Sequence, residues 1–268
     1  MFLNAPAKLN LHLEVVKKRE DGYHDIRTVF QLINLYDEME FILNETEIKL
    51  TETPLAIENN LVLKAAHFLR EKTNTLKGAT ILLSKTIPLE RGLGGGSSDA
   101  AATLIALNKL WETKLSINQL KQIGLELGSD VPFFIHGRNA WAEGRGEIIT
   151  DLNLPESWYL LAILKTKIST KEAFKDINIY KEKLMTKEDF LIGKSKNSFT
   201  RLVKDKFPEI KDTFELLAPI GVPKLTGTGS TIFLSFKKEE EARKALKIYP
   251  QGILVKSLDD SPLLQLLE

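Results

Sequence analysis

The sequence of 268 residues contains no cysteine. A chain without thiols forms no disulfide bond, thiolate zinc site, iron–sulfur cluster or cysteine nucleophile. An excess of charge of one sign is also missing, because 37 Lys and Arg residues balance 36 Asp and Glu residues to a net charge of +1. Nucleic-acid-binding domains normally carry a basic excess or a basic stripe. We therefore expect no nucleic-acid partner, and any anionic ligand should be small and bound in a local pocket.

Long hydrophobic segments are lacking as well. The longest unbroken apolar run, Trp158–Leu164, is far shorter than the roughly 20 residues that a transmembrane helix needs. The N-terminus has no basic segment, and Lys8 interrupts what would be the apolar stretch of a signal peptide. We expect a soluble, cytoplasmic protein that is not bound to a membrane, and the sequence indicates no protein partner.

The first clear pattern that is present lies in residues 7–16, which alternate between apolar and polar side chains, as a strand does. One face of this strand is expected to pack on a core, and the other is expected to be exposed. The core-facing residues would be Leu9, Leu11, Leu13 and Val15, and the opposite face would carry Lys8, Asn10, His12 and Glu14.

Further elements follow along the chain. Strands are predicted over about 26–35, 38–44, 79–87, 140–143, 148–152, 158–164, 231–236 and 252–257, with a short buried strand or core segment over 131–135. Helices are predicted over about 59–73, 97–111, 116–128, 169–176, 197–205, 208–218 and 239–247. Strands and helices mix without a strict βαβ rhythm, which favours an α+β fold. The segment Leu154-Pro155 and the polar residues after it predict a boundary between two domains, 1–152 and 153–268.

The most informative segment is glycine-rich. Residues 88–102 read Pro-Leu-Glu-Arg-Gly-Leu-Gly-Gly-Gly-Ser-Ser-Asp-Ala-Ala-Ala. Four glycines among residues 92–96 would weaken a regular element but allow bare backbone to approach a ligand closely. Because a helix is predicted to begin where they end, its free N–H groups and its dipole would form a cradle for phosphate. The alternative is a plain loop with Ser97 as the helix cap.

Two common phosphate motifs are excluded. A Walker A loop requires a glycine five residues before Gly193-Lys194-Ser195, where the chain has Glu188. The Rossmann pattern fails because Ser97 stands three residues after Gly94.

The segment from Pro88 to Ala101 instead resembles the phosphate loop of the GHMP kinases. Ala5-Pro-Ala-Lys-Leu-Asn-Leu resembles the N-terminal motif of that family, and Leu225-Thr-Gly-Thr-Gly-Ser-Thr-Ile-Phe resembles its C-terminal glycine motif. The three motifs span nearly the whole chain. The resemblance implies a two-domain α+β fold with the active site in the interdomain cleft, ATP as co-substrate and Mg²⁺.

The resemblance also implies which residues bind ATP. The phosphate-loop contacts would be Pro88, Leu89, Glu90, Arg91, Gly92, Leu93, Gly94, Gly95, Gly96, Ser97, Ser98 and Asp99. Lys85 would reach ATP from the preceding strand, although a surface lysine is an equal alternative, and Gly227 and Gly229 would close the site from the other domain. The metal ligands are not assigned, and Ser98 is one candidate.

Two further residues are implied to carry the chemistry. Asp130 lies before an apolar segment, where a carboxylate is either a turn cap or a functional group, and it matches the catalytic aspartate of the family. It would accept the proton of the attacking hydroxyl. Lys8, which by itself reads as a solubilising charge, would pair with Asp130, and Asn10 would bind substrate.

Two segments narrow the resemblance to family members that phosphorylate a cytidine diphosphate sugar alcohol. They are Glu20-Asp-Gly-Tyr-His-Asp and Gly128-Ser-Asp-Val-Pro-Phe-Phe. Tyr23 and His24 would hold the cytosine, with Phe174 on its other face, and Thr170 and Lys167 would lie near the diphosphate. Two alternatives stay open. One is a GHMP kinase for another small alcohol, such as mevalonate or homoserine, and the other is a non-catalytic nucleotide-binding module.

Overall fold

Two long antiparallel strands carry the sheet in this computed structural model, which describes residues 1–51, 60–179 and 183–267. Strand β1 spans Phe2–Lys18, and β2 spans His24–Asn44. The two separate strands predicted over 26–35 and 38–44 are therefore one continuous strand. Because β2 is 21 residues long, different parts of it pair with β1, β4, β5 and β10.

The other elements confirm an α+β fold. The remaining strands are β3 (Ile48–Thr51), β4 (Gly78–Ser84), β5 (Ala140–Glu143), β6 (Ile148–Asp151), β7 (Trp158–Ala162), β8 (Lys224–Leu225), β9 (Ile232–Phe236) and β10 (Ile253–Leu258). The helices are α1 (Leu61–Thr73), α2 (Gly95–Leu110), α3 (Ile117–Leu127), α4 (Val131–His136), α5 (Thr170–Asp176), α6 (Lys187–Leu191), α7 (Thr200–Lys206), α8 (Pro208–Leu217) and α9 (Glu239–Ile248), followed by a 3₁₀ helix at Pro262–Leu266. Elements β3, α6, β8 and the 3₁₀ helix were not expected from the sequence.

The strands join into one sheet with the order β3-β4-β2-β10-β7-β9-β8. Strands β1 and β5 also pair with β2, and β6 pairs with β5. Strand β10 pairs with β2 on one side and with β7 on the other. The sheet therefore continues from one predicted domain, 1–152, into the other, 153–268. One large core packs α1, α2, α3 and α4 against the N-terminal strands, and a second packs α7, α8 and α9 against β7 and β9.

A β-bulge at Leu11 divides β1. Asn10 pairs with Phe30, but His12 pairs with Val29, so Leu11 is an extra residue in β1. Because one extra residue reverses the alternation of a strand, His12 lies on the face opposite to Asn10. The expectation that Lys8, Asn10, His12 and Glu14 share one face is therefore wrong beyond the bulge. All four are also buried, since helices and the C-terminal half cover both faces of β1.

The apolar segment after Asp130 is a helix, not the predicted strand or core segment. Pro132 lies in the first turn of the helix, where a backbone N–H would have no acceptor within the helix, so proline is tolerated there. Gly137 ends the helix with a φ of +74°. The five residues Val131–Ile135 are all buried and show no periodicity, so the sequence pattern did not distinguish the two structures. By contrast, α3 has the predicted cap at Ser116 and ends at Gly128.

Helix α1 begins after its cap, Asn60, whose side chain accepts from the Val62 N–H. The predicted start of this helix at residue 59 lies outside the described residues. Within residues 1–51, 60–179 and 183–267, no helix has the length and apolar character of a membrane span.

Candidate active site

The glycine-rich segment forms an irregular turn that leads directly into α2. The helix begins at Gly95, two residues earlier than predicted, and its cap is Gly94 with a φ of +76°, not Ser97. The first N–H that donates into the helix is that of Ser98, to the Gly94 carbonyl at 2.9 Å. The preceding N–H groups lie in the first turn, where a helix has no acceptors of its own. They form the positive end of a 16-residue helix.

At two positions of the segment, neighbouring groups lie so close to the backbone that only glycine fits. A Cβ on Gly92 would lie 3.0 Å from the carbonyl carbon of Thr226 and still closer to its oxygen, so any side chain there collides with the C-terminal half. A Cβ on Gly94 would lie 2.8 Å from Phe134 Cζ and 3.1 Å from Lys8 Cε. The loop is therefore held between β1, α4 and the C-terminal glycine motif.

The segment Pro88–Gly92 before the helix lies at the surface, whereas Leu93 is buried in a core cluster. Leu89 and Glu90 are exposed, and the Arg91 guanidinium donates to the carbonyl oxygens of both and to that of Lys165 at 2.9 Å. This last bond joins the loop to the chain after β7.

Lys8 and Asp130 form an ion pair beside the loop, with 3.5 Å between Lys8 Nζ and Asp130 Oδ2. Lys8 is only 3 % exposed, which corrects the expectation of an exposed strand face. Burial lowers the pKa of Lys8, and the neighbouring Asp130 carboxylate partly opposes that fall. Asp130 stands at the cap position of α4, but its side chain makes no capping hydrogen bond. Its carboxylate is 31 % exposed and therefore accessible to a ligand.

Asn10 connects this pair to the two glycine motifs. Its side-chain oxygen accepts from Lys8 Nζ, its side-chain nitrogen donates to Thr28 Oγ1 at 2.8 Å, and its backbone N–H donates to Thr226 Oγ1 at 2.9 Å. The Thr226 hydroxyl in turn donates to the Gly92 carbonyl at 3.2 Å. One threonine thus joins β1, the phosphate loop and the C-terminal glycine motif.

The side chain of Asn197 binds the backbone of the C-terminal glycine motif. Its side-chain nitrogen donates to the carbonyl oxygens of Leu225 at 2.9 Å and Gly227 at 2.8 Å. Both Gly227 and Gly229 have positive φ, and a Cβ on Gly227 would lie 3.0 Å from the Gly92 Cα. The structure therefore brings the two glycine segments into direct contact, and closure of a nucleotide site by this motif stays a prediction.

Lys85 lies beneath the first turn of α2 and is largely buried, unlike a surface lysine. Its ammonium group contacts Asp37 and lies 2.7 Å from Asp99 Oδ2. Asp37 also accepts the N–H groups of Thr86 at 2.6 Å and Ile87 at 2.8 Å. Burial raises the pKa of Asp99 to about 7; Lys85 opposes the rise, and Asp37 adds to it. Asp99 is therefore placed under the loop rather than in the open cradle.

The implied nucleobase residues lie where the two halves meet. The His24 and Phe174 rings are 5.2 Å apart, and Phe174 packs edge-on against Phe199 at 4.8 Å. Tyr23 is 48 % exposed, and the group that covers its ring is the guanidinium of Arg145. Burial lowers the pKa of His24, and the positive charge of Lys18 lowers it further, which favours the neutral ring at pH 7.

The two residues that the family resemblance places near the diphosphate are exposed. Thr170 is the first residue of α5, and its hydroxyl lies 3.4 Å from that of Thr228 in the glycine motif. Lys167 is exposed and lines a small cavity of about 60 Å³ beside α5 and α7. The structure brings Thr170 to the glycine motif, whereas it shows no contact from Lys167 to the site.

Ser98 is the one residue for which the sequence suggests contact with a metal ion. Its hydroxyl is fully buried at the start of α2 and has no hydrogen-bond partner. Within the described ranges, no group of three or more His, Asp or Glu side chains is arranged to hold a metal. A cation here would depend mainly on oxygens supplied by its ligand.

Sequence reasoning missed Asp37, Thr226 and Asn197. Thr226 lies inside the motif at 225–233, so its position was visible but its bridging role was not. Asp37 is one acidic residue in a polar stretch of β2, and Asn197 is one polar residue in a loop. The groups that Asp37 binds, and the two carbonyl oxygens that accept from the Asn197 side-chain nitrogen, are at least 28 residues away along the chain. No local pattern marks these contacts.

Comparison with protein families agrees with this geometry. The model of the GHMP kinases N terminal domain matches residues 60–138, and that of the GHMP kinases C terminal domain matches residues 182–251. The chain belongs to the GHMP kinases. Membership in this kinase family implies ATP as the co-substrate, and it confirms the resemblance drawn from the three motifs.

Three similar kinases align with this chain over nearly its whole length and over nearly all of their own. The 4-diphosphocytidyl-2-C-methyl-D-erythritol kinase of Nitrosococcus oceani is 44 % identical over 271 residues, which cover 98 % of this chain and 97 % of the relative. A solved structure of 4-(cytidine 5'-diphospho)-2C-methyl-D-erythritol kinase is 31 % identical, with a TM-score of 0.84 and coverage of 97 % and 100 %. Homoserine kinase from Cytophaga hutchinsonii shares the fold alone, at 16 % identity, a TM-score of 0.71 and coverage of 97 % and 95 %.

Proposed function

We propose that this GHMP kinase transfers the γ-phosphoryl group of ATP to the 2-hydroxyl of 4-diphosphocytidyl-2-C-methyl-D-erythritol. This is a reaction of the non-mevalonate (methylerythritol phosphate) isoprenoid pathway, and we place it in the cytoplasm. The observation that carries the proposal is the Lys8–Asp130 pair, whose accessible carboxylate caps no helix and lies beside the phosphate loop. The identity with named kinases over nearly the whole chain supports the choice of substrate.

In the proposed reaction Asp130 accepts the proton of the substrate hydroxyl. The hydroxyl oxygen forms a bond to the γ-phosphorus, the bond from that phosphorus to the β–γ bridging oxygen breaks, and ADP leaves. Such general-base assistance contributes about 10²–10⁴ in rate. Lys8 is positioned to orient the hydroxyl and to offset the charge of the transferring group, and its burial strengthens that attraction. Phosphoryl transfer needs no covalent enzyme intermediate, so positioning supplies most of the catalysis.

The first turn of α2 would bind the ATP phosphates. Gly94, Gly95 and Gly96 expose backbone N–H groups at the positive helix end, where anions bind favourably. Gly227 and Gly229 would close over the nucleotide from the C-terminal half. Mg²⁺, when bound with ATP, neutralises its β- and γ-phosphates, and the unpartnered hydroxyl of Ser98 would hold it on the protein side.

The cytidine portion would bind where His24 and Phe174 meet. A base stacked on the Tyr23 ring would present its polar edge to the neutral His24, and Phe174 would limit the site from the C-terminal half. Thr170 and Lys167 would approach the diphosphate, and Asn10 the acceptor portion. This arrangement supports a division into domains 1–152 and 153–268 with the site between them.

A coupled assay of ADP release with Mg·ATP tests the proposal. Three acceptors are compared: 4-diphosphocytidyl-2-C-methyl-D-erythritol, mevalonate and homoserine. We expect turnover with the cytidine compound alone. Turnover confined to mevalonate or homoserine would refute the substrate but keep the phosphate loop. If protein that binds ATP turned over none of the three, the chain would be a nucleotide-binding module instead of this kinase.

A further inference from the structure

Arg145 lies at the tip of a tight turn between β5 and β6. Gly144 and Gly146 on either side have φ values of +71° and +117°, which glycine adopts without strain. The Gly144 carbonyl accepts the N–H of Ile26 at 2.7 Å, which fastens the turn to β2 close to Tyr23. The Glu147 carboxylate accepts the backbone N–H of Arg145. Backbone groups, the two glycines and Glu147 therefore hold the turn, and none of these contacts uses the Arg145 side chain.

The Arg145 guanidinium lies directly on the Tyr23 ring, with its Cζ 3.5 Å from the ring centroid. At this distance the planar cation stacks on the aromatic face, a favourable arrangement for arginine. Arg145 Nε is buried and makes no hydrogen bond to another group, so no polar contact of that atom competes with the stacking. Tyr23 nevertheless remains 48 % exposed, so one face is covered and much of the ring is open.

The same turn touches the catalytic end of the site. A Cβ on Gly146 would lie 3.4 Å from the carbonyl oxygen of Ser129, the residue before Asp130. Arg145 thus projects from a fixed point next to Asp130 toward the ring that the nucleobase would meet. None of the three sequence motifs includes Arg145.

We propose that Arg145 is a positioning residue for the nucleobase, which holds the Tyr23 ring in place for stacking against the cytosine of the substrate. This inference rests on the proposed function. An exposed tyrosine that moves freely loses side-chain entropy when a base stacks on it. A ring that is already held by a cation on its far face loses less, so the substrate binds more tightly. The effect concerns the cytidine part and neither ATP nor the acceptor hydroxyl.

The test compares Arg145→Met and Arg145→Lys with the wild type. Affinity for CDP is measured by calorimetry, and KM for the cytidine acceptor and for ATP by the ADP-release assay. Ordering one side chain on binding costs about 0.5–1.5 kcal/mol, so Arg145→Met should weaken CDP binding and raise the acceptor KM by about 2–13-fold. Arg145→Lys, which keeps the charge but not the plane, should fall between. Arg201→Met removes an exposed guanidinium from α7 and serves as the control without effect.

A double-mutant cycle separates positioning from general damage. In a Tyr23→Ala background, Arg145→Met should cause no further loss of CDP affinity, because its effect passes through the ring. The inference is overturned if Arg145→Met leaves CDP binding unchanged, weakens ATP equally, or causes its full loss without Tyr23. A wild type that neither binds CDP nor phosphorylates the cytidine acceptor would instead refute the proposed function, and this inference with it.

Discussion

The buried cluster of Lys85, Asp37 and Asp99 should make the stability of this kinase depend on pH. Two carboxylates share one ammonium group, so the cluster carries one excess negative charge when all three are ionised. Burial makes that charge unfavourable and raises the pKa of Asp99 from 3.8 to about 7. The folded protein therefore binds this proton more tightly than the unfolded chain does. The resulting stability is complete below pH 3.8 and is lost as the pH rises through about 7.

The magnitude follows from that difference in pKa. Between pH 5 and pH 6 the folded state holds nearly one more proton, so stability falls by about 1.4 kcal/mol per pH unit, and the fall becomes shallower around pH 7. From pH 5 to pH 8 the expected loss is about 2–3 kcal/mol. Asp99→Asn keeps an oxygen for Lys85 and replaces the protonated carboxyl with an amide, so it should remove this part of the pH dependence.

Urea unfolding, followed by the fluorescence of the three tryptophans, measures the effect. The unfolding free energy of Asp99→Asn minus that of the wild type should rise by about 2–3 kcal/mol between pH 5 and pH 8. Histidines contribute equally to both proteins and cancel in the difference. Asp212→Asn, at an exposed position in α8, is the matched control and should show no such rise. A difference for Asp99→Asn that stays constant across this range would refute the reasoning.

Three further predictions concern activity. Asp130→Asn should lower kcat by about 10²–10⁴ in a folded protein, and an unchanged kcat in the acceptor assay would remove the general-base role. Gly92→Ala should abolish turnover because its Cβ meets the Thr226 carbonyl, whereas Gly193→Ala, with equally positive φ but open space around its Cβ, should retain it. Loss of activity in both would point to backbone strain instead. Asn197→Asp should raise the ATP KM more than Asn197→Ala, because it sets a carboxylate against two carbonyl oxygens; equal KM values would contradict that donor role.

Elements whose signals are local could be predicted well. Helix α3 has its capping residue and its terminating glycine within one short segment, and both are as predicted. The phosphate loop was also recognised, since its glycines, serines and following helix are contiguous. Its boundary was wrong by two residues, because Gly95 and Gly96 become helical only when α2 packs on the core. A Cβ on Gly95 would lie 2.9 Å from Ile87, so the first turn of the helix is adapted to that contact.

Burial of charged groups could not be predicted. Lys8 reads as a surface lysine in an alternating strand, yet the phosphate loop and α4 cover it. Lys85 has the same local appearance, and its two carboxylate partners lie 48 and 14 residues away along the chain. A single sequence shows which side chains carry charge, but burial depends on which elements pack over them.

The sequence by itself determined the chemical groups of this protein: a backbone cradle before a helix, a lysine and an aspartate near two motifs, and an aromatic pair after a glycine. These are properties of neighbouring residues, and local preferences act over a few positions. Only the tertiary structure decided how they meet. The bulge at Leu11 turned His12 away from Lys8, the Thr226 hydroxyl joined three segments, and Arg145 came to lie on Tyr23. Each of these depends on strand register or on contacts between distant segments, which one strand or loop does not encode alone.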